Sequence, residues 1–244
     1  MEVLGIDIGG SGVKGAPVDL DQGCLLAERF RVETPQPPKP KAVAKVLAEV
    51  AGAFKWSGPI GVGFPGIMSR NTAYTAANLH PAWIGRDLSQ LFGSATNCPV
   101  GVVNDADAAG LAEIAYGAGK GRDGTILLLT LGTGIGSALF INGQLYPNSE
   151  FGHLLFKGDI AEKYATANIR KAEGLSWTEW GARLNEFLVH IHRVIFPELI
   201  ILGGGASAKF DRFSDQIDCG TEVVPARLMN NAGIIGAALA APID

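Results

Sequence analysis

The sequence predicts an α/β chain of two related domains, and three observations carry that expectation. Apolar runs of strand length alternate with segments whose apolar residues recur at helical spacing. A strand that ends in a glycine turn and is followed by a returning strand occurs twice. Ile6-Asp7-Ile8-Gly9 and Leu129-Thr130-Leu131-Gly132 hold the same strand-end place, 123 residues apart in a chain of 244. Glycine supplies 33 of the 244 residues, nearly twice the usual share of about 7%. There is no Gly-X-Y period, so the excess is not collagen and must serve turns or a close approach of backbone to something else.

Taken in order, Val3–Ile8 is a buried strand ending at Gly9-Gly10, Val13–Leu20 its hairpin partner, and Leu25–Glu33 a third strand. Thr34–Lys41, with Pro35, Pro37, Pro38 and Pro40, is an extended linker. Ala42–Phe54 has helical spacing, Pro59–Phe64 is a strand closed by Pro65-Gly66, Val100–Asn104 is a strand, and Asp105–Gly117 is an alanine-rich helix. The pattern then restarts with strand Thr125–Leu131, glycine turn Gly132–Gly136, returning strand Ser137–Ile141 and hairpin turn Asn142-Gly143. Trp177–Ile195 is a long amphipathic helix, with Ser176 as N-cap and Glu179 completing a capping box. Leu199–Leu202 is a strand running into Gly203-Gly204-Gly205, and Asn231–Ala241 is a final helix of small residues.

Composition narrows the function classes. With 47% apolar and 18% charged residues the chain can bury a sizeable core and is not disordered. Twenty Lys+Arg against 24 Asp+Glu give −4, which excludes a generally basic nucleic-acid binder while leaving room for a local basic groove. Cys24, Cys98 and Cys219 are odd in number and far apart. They form neither a disulfide framework nor a zinc cluster, and a reducing, cytoplasmic setting follows. The first residues carry acids at Glu2 and Asp7 and lack the basic-then-apolar layout of a signal peptide. Thr125 to Ser149 is uncharged, but Gly132, Gly134, Gly136, Asn142-Gly143 and Pro147 break it into strands and turns, so no membrane span is expected.

Five motifs carry chemistry. In Asp7-Ile8-Gly9-Gly10-Ser11-Gly12-Val13-Lys14, glycines let the backbone approach an anion and aim several N–H groups at it. Ser11 adds a hydroxyl. Lys14 adds a point charge, or is a solvated hairpin residue. Asp7 stands where a carboxylate can hold a hydrated Mg²⁺ near phosphates. The bland alternative is an ordinary hairpin turn, since a glycine-rich turn alone is weak evidence. Gly132-Thr133-Gly134 repeats the same physics in the second half, and two phosphate-type hairpins point to a clamped phosphate chain. Gly203, Gly204 and Gly205 are either a strand-to-helix turn or the floor of a donor pocket. Asn104-Asp105, between strand and helix, places a carboxylate where it can take the proton of an attacking hydroxyl; an N-cap is the even alternative, with Asp107 competing. Glu150 and His153, three apart, can bind vicinal sugar hydroxyls, although a lone histidine is more often structural.

On these residues the chain resembles the ROK family of sugar kinases and repressors. Within it the chain is most similar to bacterial polyphosphate glucokinases, through Thr75-Ala76-Ala77-Asn78-Leu79, Trp83-Ile84-Gly85, Asn104 to Glu113, Leu175-Ser176-Trp177, Val223-Val224-Pro225-Ala226 and Asn230 to Gly236. The resemblance implies a two-domain, actin-like (ribonuclease H-like) kinase fold with the active site in the interdomain cleft. Residues 1–106, completed by the helix 231–244, would form one domain and 107–230 the other. It implies Asp105 as catalytic base, with Asn104, Glu150 and His153 holding a hexose, Glu162 as a further contact and Asn78 in a substrate-proximal loop. The four clusters Gly5–Gly15, Gly58–Gly66, Gly132–Gly136 and Gly203–Gly205 would then be mostly strand-end turns around that cleft.

One departure from the family is informative. The cysteine-rich zinc motif of ordinary ROK kinases is missing, since Leu154 to Gly174 contains no cysteine. A direct hydrogen bond would have to orient His153 in its place, and no structural zinc is expected. The implied activity is transfer of a phosphoryl group from polyphosphate, with ATP as a further donor, to the 6-hydroxyl of glucose or mannose, assisted by Mg²⁺. Lys14, Lys120, Arg122 and Arg227 are candidates for a polyphosphate track. The rival expectations are an ATP-only hexose kinase, a non-catalytic sugar-binding regulator and a chaperone-type ATPase. A homodimer is expected by analogy with related kinases.

Overall fold

The computed structural model describes residues 1–76 and 79–243; Asn78 lies outside them. The chain divides into two compact units, Met1–Ala112 with Asn231–Asp244, and Glu113–Asn230.

The first unit is built on a mixed sheet. Strands β1 (Glu2–Ile8), β2 (Val13–Asp19), β3 (Cys24–Leu25), β4 (Phe30–Val32), β5 (Ile60–Phe64) and β8 (Val100–Asn104) lie in the order β3-β2-β1-β5-β8, with β4 also on β2. β1 and β2 form a full-length antiparallel hairpin closed by Ile8 opposite Val13, while β5 runs parallel to β1 and β8 parallel to β5. The third strand expected over Leu25–Glu33 is split into β3 and β4, each pairing a different end of β2. The proline-rich linker also ends sooner than expected. Helix α1 (Pro40–Ala53) starts at Pro40, whose fixed φ and missing N–H suit a first helical position. A small hairpin, β6 (Met68–Ser69) and β7 (Thr72–Ala73), and helix α2 (Leu88–Thr96) complete the connection to β8. Val43, Leu47 and Val50 of α1 pack with Leu4, Ile6, Ile8, Ile60 and Val62 in one buried cluster. Trp83 is fully buried in it against Phe64 and Phe92, and its indole N–H donates to the carbonyl of Pro38 at 2.7 Å.

The opposite face of that sheet has lost its side chains. Gly5, Gly61 and Gly101 lie in register across β1, β5 and β8, and the last helix, α7 (Ala232–Leu239), rests its backbone on them. A methyl group added at Gly5, Gly61 or Gly101 would collide with the carbonyl oxygen of Ile234, Ala237 or Ala240, one contact every three residues. On its other side α7 touches helix α3 (Asp105–Tyr116), where a methyl at Gly236 would strike the carbonyl of Ala108. Gly5, Gly61 and Gly101 therefore serve helix packing inside strands and are not strand-end turns. This corrects the turn reading for Gly5 and Gly61 within their sequence clusters.

The second unit carries its own sheet, β11-β10-β9-β14-β15: β9 (Thr125–Leu131), β10 (Ile135–Ile141), β11 (Gln144–Tyr146), β14 (Leu199–Gly203) and β15 (Glu222–Pro225). The β9–β10 hairpin is antiparallel, and β14 is parallel to both β9 and β15. A short hairpin, β12 (Leu155–Phe156) and β13 (Asp159–Ile160), leads into α4 (Glu162–Ala165) and α5 (Ala167–Ala172). Helix α6 (Trp177–Ile195) has the expected capping box: Glu179 N–H donates to Ser176 Oγ at 3.1 Å, and Ser176 N–H to Glu179 Oε2 at 2.8 Å. Its apolar stripe, Trp180, Leu184, Phe187, Leu188 and Ile191, is buried with Leu127, Leu129, Ile200 and Leu202, each such burial contributing roughly 1.5–3 kcal/mol. Glu113 of α3 is fully buried. Its carboxylate accepts from the N–H groups of Ala118 at 2.8 Å, Arg227 at 3.1 Å and Leu228 at 2.7 Å.

The glycine face makes a direct prediction. Gly61→Ala forces a methyl into the α7 backbone and should lower unfolding stability by about 1–3 kcal/mol or more. Gly52→Ala, on the exposed end of α1 with open space around it, should raise stability by up to about 1 kcal/mol. Urea midpoints of the two variants check this; equal midpoints would contradict the packing described.

Candidate active site

In the first unit, the end of β1 delivers Asp7 beside Lys14 of β2 and Gly63 of β5, its register partners on either side. Burial raises the Asp7 carboxyl above the ordinary carboxylate range, and the Lys14 charge only partly opposes this. A methyl at Gly63 would lie 3.7 Å from Cα of Asp105 and 3.8 Å from Oδ1 of Asp7. The backbone of Asp105 and the carboxylate of Asp7 thus both lie near Gly63. Gly233, in the first turn of α7, borders Asp7 as well: a methyl there would lie 3.2 Å from its carboxyl carbon.

Asp105 opens α3, and its neighbour performs the capping. Asn104 Oδ1 accepts from the N–H groups of Ala106 at 2.9 Å and Asp107 at 3.0 Å, while its Nδ2 donates to the carbonyl of Gly66 at 3.2 Å. Asn104 is buried and Asp105 half-buried. Asp105 also accepts from Ala106 N–H at 2.9 Å. The N-cap is therefore Asn104, and its Nδ2 keeps a second hydrogen beyond the one given to Gly66.

The first glycine turn is held through its carbonyls. Gly9 N–H donates to the Gly12 carbonyl at 3.0 Å, Thr34 Oγ1 donates to the Gly9 carbonyl at 2.6 Å, and Arg31 Nη2 donates to the Ser11 carbonyl at 2.9 Å. Among the described residues no group accepts from the N–H groups of Gly10, Ser11 or Gly12. A turn with its carbonyls engaged and its N–H groups open has the donors an anion nest requires.

In the second unit, Gly132 N–H donates to the Gly134 carbonyl at 3.1 Å and Asn168 N–H to the Gly132 carbonyl at 3.2 Å. The Gly203-Gly204-Gly205 segment lies against this turn. Gly204, at φ +76°, approaches so closely that a methyl there would sit 2.7 Å from the backbone of Leu131. The Ser207 hydroxyl donates to the Gly204 carbonyl at 2.7 Å and fixes the approach.

Glu150 and His153 flank the short 3-10 turn Phe151–His153. Ser137 Oγ pins it to β10 by donating to the Ser149 carbonyl at 2.7 Å and accepting from Phe151 N–H at 2.9 Å. Gly152 lies on the backbone of Ile135, where a side chain would collide. The β12–β13 hairpin then folds back and brings in Glu162. His153 Nδ1 stands 3.4 Å from Glu150 Oε2, and its Nε2 stands 4.0 Å from Glu162 Oε1. The imidazole thus sits between two carboxylates, an arrangement that needs no cysteine. Burial, reinforced by Glu162 and opposed by His153, holds Glu150 above the ordinary carboxylate range. The other oxygen of Glu162 accepts from Ile135 N–H at 3.4 Å, beside Gly134. One carboxylate therefore touches both the second glycine turn and the Glu150–His153 pair.

Among the expected track cations, Arg122 is taken up by an ion pair with Glu222, and only the backbone of Arg227 is held, by Glu113. Lys14 stands in its row with Asp7, and Lys120 is exposed. Sequence inspection overlooks Arg31. It lies 20 residues from Ser11, and the signal that finds it is the pairing of β4 with β2, which sets Arg31 opposite Lys14.

Comparison with known proteins agrees with this architecture. The polyphosphate glucokinase of Mycobacterium tuberculosis is 47% identical over 242 residues, covering 99% of this chain and 91% of the relative. The crystal structure of the inorganic polyphosphate/ATP-glucomannokinase from Arthrobacter sp. strain KM superposes with a TM-score of 0.92 at 46% identity, covering 98% of this chain and 97% of the other. A ROK family glucokinase from Streptomyces griseus, solved with glucose and AMPPNP, has a TM-score of 0.81 at 23% identity over 99% of each chain and shows the shared fold alone. The family model described as "ROK family" matches residues 3–167. The chain belongs to the ROK family.

Proposed function

We propose that the chain is a polyphosphate-dependent glucokinase. It transfers the terminal phosphoryl group of inorganic polyphosphate to the 6-hydroxyl of glucose, with ATP as a second donor and mannose as a second acceptor. One observation carries the reading: Asn104 supplies the helix cap, and Asp105 opens α3 with its backbone and the Asp7 carboxylate both near Gly63. The names of the Mycobacterium tuberculosis and Arthrobacter relatives support the choice of substrates.

In this mechanism the sugar oxygen attacks the terminal phosphorus. The new O–P bond forms as the bridging P–O bond of the donor breaks, and the shortened polyphosphate leaves. Asp105 takes the hydroxyl proton. Asn104, Glu150, His153 and Glu162 hold the hexose, Asn78 adding a contact from its loop. The N–H groups of Gly10, Ser11 and Gly12, in the turn that Gly9 closes, with Lys14, and those of Thr133 and Gly134, in the turn that Gly132 closes and Gly203, Gly204 and Gly205 buttress, meet the charge spread over the phosphate oxygens. A single carboxylate suits a Mg²⁺ ion that keeps most of its water, so Asp7 fits the role of outer partner. When bound, the ion supplies charge neutralisation. Among the described residues no cluster of three or more His, Cys, Asp or Glu is arranged as an all-protein metal cage.

No described helix is long and apolar enough to cross a membrane, and the three cysteines are free thiols. A cytoplasmic homodimer completes the proposal, and sedimentation of the purified chain reads its oligomeric state.

Asp105→Ala should lower kcat by about 10²–10⁴-fold while leaving glucose affinity and the unfolding transition in place; near-normal turnover would sink the assignment. Sugar 6-phosphate formation with glucose or mannose against polyphosphate or ATP tests the substrates, and activity with ATP alone would favour the ATP-only kinase.

A second prediction concerns pH. Glu150 accepts hydrogen bonds from sugar hydroxyls as a carboxylate. Because its pKa is raised, that form is lost at a higher pH than for an ordinary glutamate as the solution is acidified. Glucose affinity, measured by calorimetry, should therefore weaken with falling pH from above the usual carboxylate range. In Glu150→Gln the affinity should start weaker and lose this acid limb. Matching acid profiles in the two proteins would remove Glu150 from the role.

A further inference from the structure

We propose that Arg31 is a donor-binding residue, receiving a long inorganic polyphosphate chain where it leaves the first glycine turn; this rests on the phosphotransfer reading above. Asp7, Lys14 and Arg31 are successive partners across β1, β2 and β4, so the three side chains form one row on one face of the sheet. The row runs from the carboxylate of Asp7 to the open side of β4, with both cations on the outer side.

The guanidinium is anchored at the turn itself. Arg31 Nη2 donates to the Ser11 carbonyl at 2.9 Å. A methyl at Gly12 would fall 2.7 Å from Nε and 2.8 Å from Nη2, so the planar head lies flat on Gly12. That bond uses one of the five N–H donors of the guanidinium, and the residue is exposed. Among the described residues neither Arg31 nor Lys14 forms an ion pair. An arginine held in place with its remaining donors open, at the mouth of an anion nest, is prepared for a phosphate. Its fork matches phosphate oxygens, and ordering it beforehand lowers the entropy lost on binding.

The chemistry selects the donor. Past the turn a nucleotide gives way to an uncharged ribose, whereas polyphosphate continues to present anionic oxygens. An exposed cation pair at that point therefore favours the longer polyanion.

The test compares wild type, Arg31→Gln and Arg31→Lys with long-chain polyphosphate and with ATP, at several salt concentrations. Glutamine keeps an amide donor for the Ser11 carbonyl and removes the charge. For Arg31→Gln the KM for long polyphosphate should rise about tenfold or more, and the slope of log KM against log salt should fall by about one. The KM for glucose should stay within about twofold and the KM for ATP should rise less. Arg31→Lys should recover part of the loss. An unchanged polyphosphate KM overturns the proposal. So does an equal rise for both donors with an unaltered salt slope, which would reduce Arg31 to a brace for the turn. Absence of transfer from polyphosphate by the wild type would instead overturn the phosphotransfer reading itself, which keeps the two failures apart.

Discussion

Helix α7 lies on a sheet surface from which three side chains have been removed, and the site of the first unit depends on that contact. Gly5, Gly61 and Gly101 come from strands far apart in sequence and meet only because the β1-β5-β8 register aligns them. A slip of one residue in any strand would turn a side chain toward the helix and lift it from the sheet. Two residues further along each strand, on the same face, the row becomes Asp7, Gly63 and Val103. The packing row and the chemical row are thus consecutive steps on one surface. Seating α7 at Gly5 also seats Gly233 against Asp7, and the wedge of Gly236 on Ala108 fixes α3, whose first residue is Asp105. The next glycine of β5 on that face, Gly63, lies near the carboxylate of Asp7 and the backbone of Asp105.

The second unit reaches a comparable turn by other means. Its glycine turn is braced from two sides, by Gly204 against Leu131 and by Gly152 against Ile135. Here a glycine at each flank permits two irregular segments to press onto the ends of the β9–β10 hairpin. The serine pair Ser137 and Ser149 satisfies the buried polar groups such a contact creates. His153 takes its position from this packing and from the hairpin that returns Glu162, so its orientation is a property of the backbone path.

Periodicity and punctuation made much of this visible in the amino-acid sequence. The strands, the two glycine turns and α6 follow from apolar runs, glycine and a capping box, all local features. Asn104-Asp105 was locally ambiguous, and only the observed hydrogen bonds assign the cap to Asn104. What stayed hidden depends on pairing between distant segments. Gly5 and Gly61 sit in glycine-rich stretches that look like turns, and their real partner is a helix more than 170 residues later. Arg31 is an unremarked surface charge until β4 is laid on β2. Glu162 is reached in the sequence only through the family resemblance, because the fold-back of β12 and β13 that places it has no local signal stronger than Lys157-Gly158, its turn.

The two glycine turns, alike in sequence, differ in electrostatic surroundings, and the difference assigns them unequal duties. The first has open N–H groups with Lys14 and Arg31 beside them. The second has the carboxylate of Glu162 on its Ile135 N–H. Such surroundings favour a long polyanion along the first and repel it at one side of the second, in keeping with the proposed placement of the extended part of a donor at the first turn. A carboxylate at the second turn is costly for phosphate binding unless it serves another partner, and its second oxygen already faces His153. The charge that weakens the second turn as a general phosphate site is the charge a hydroxyl-bearing acceptor can use. Two copies of one motif thus acquire different electrostatic surroundings from the residues that strand pairing and a folded-back hairpin place beside them, a difference that fits the proposed division between donor and acceptor.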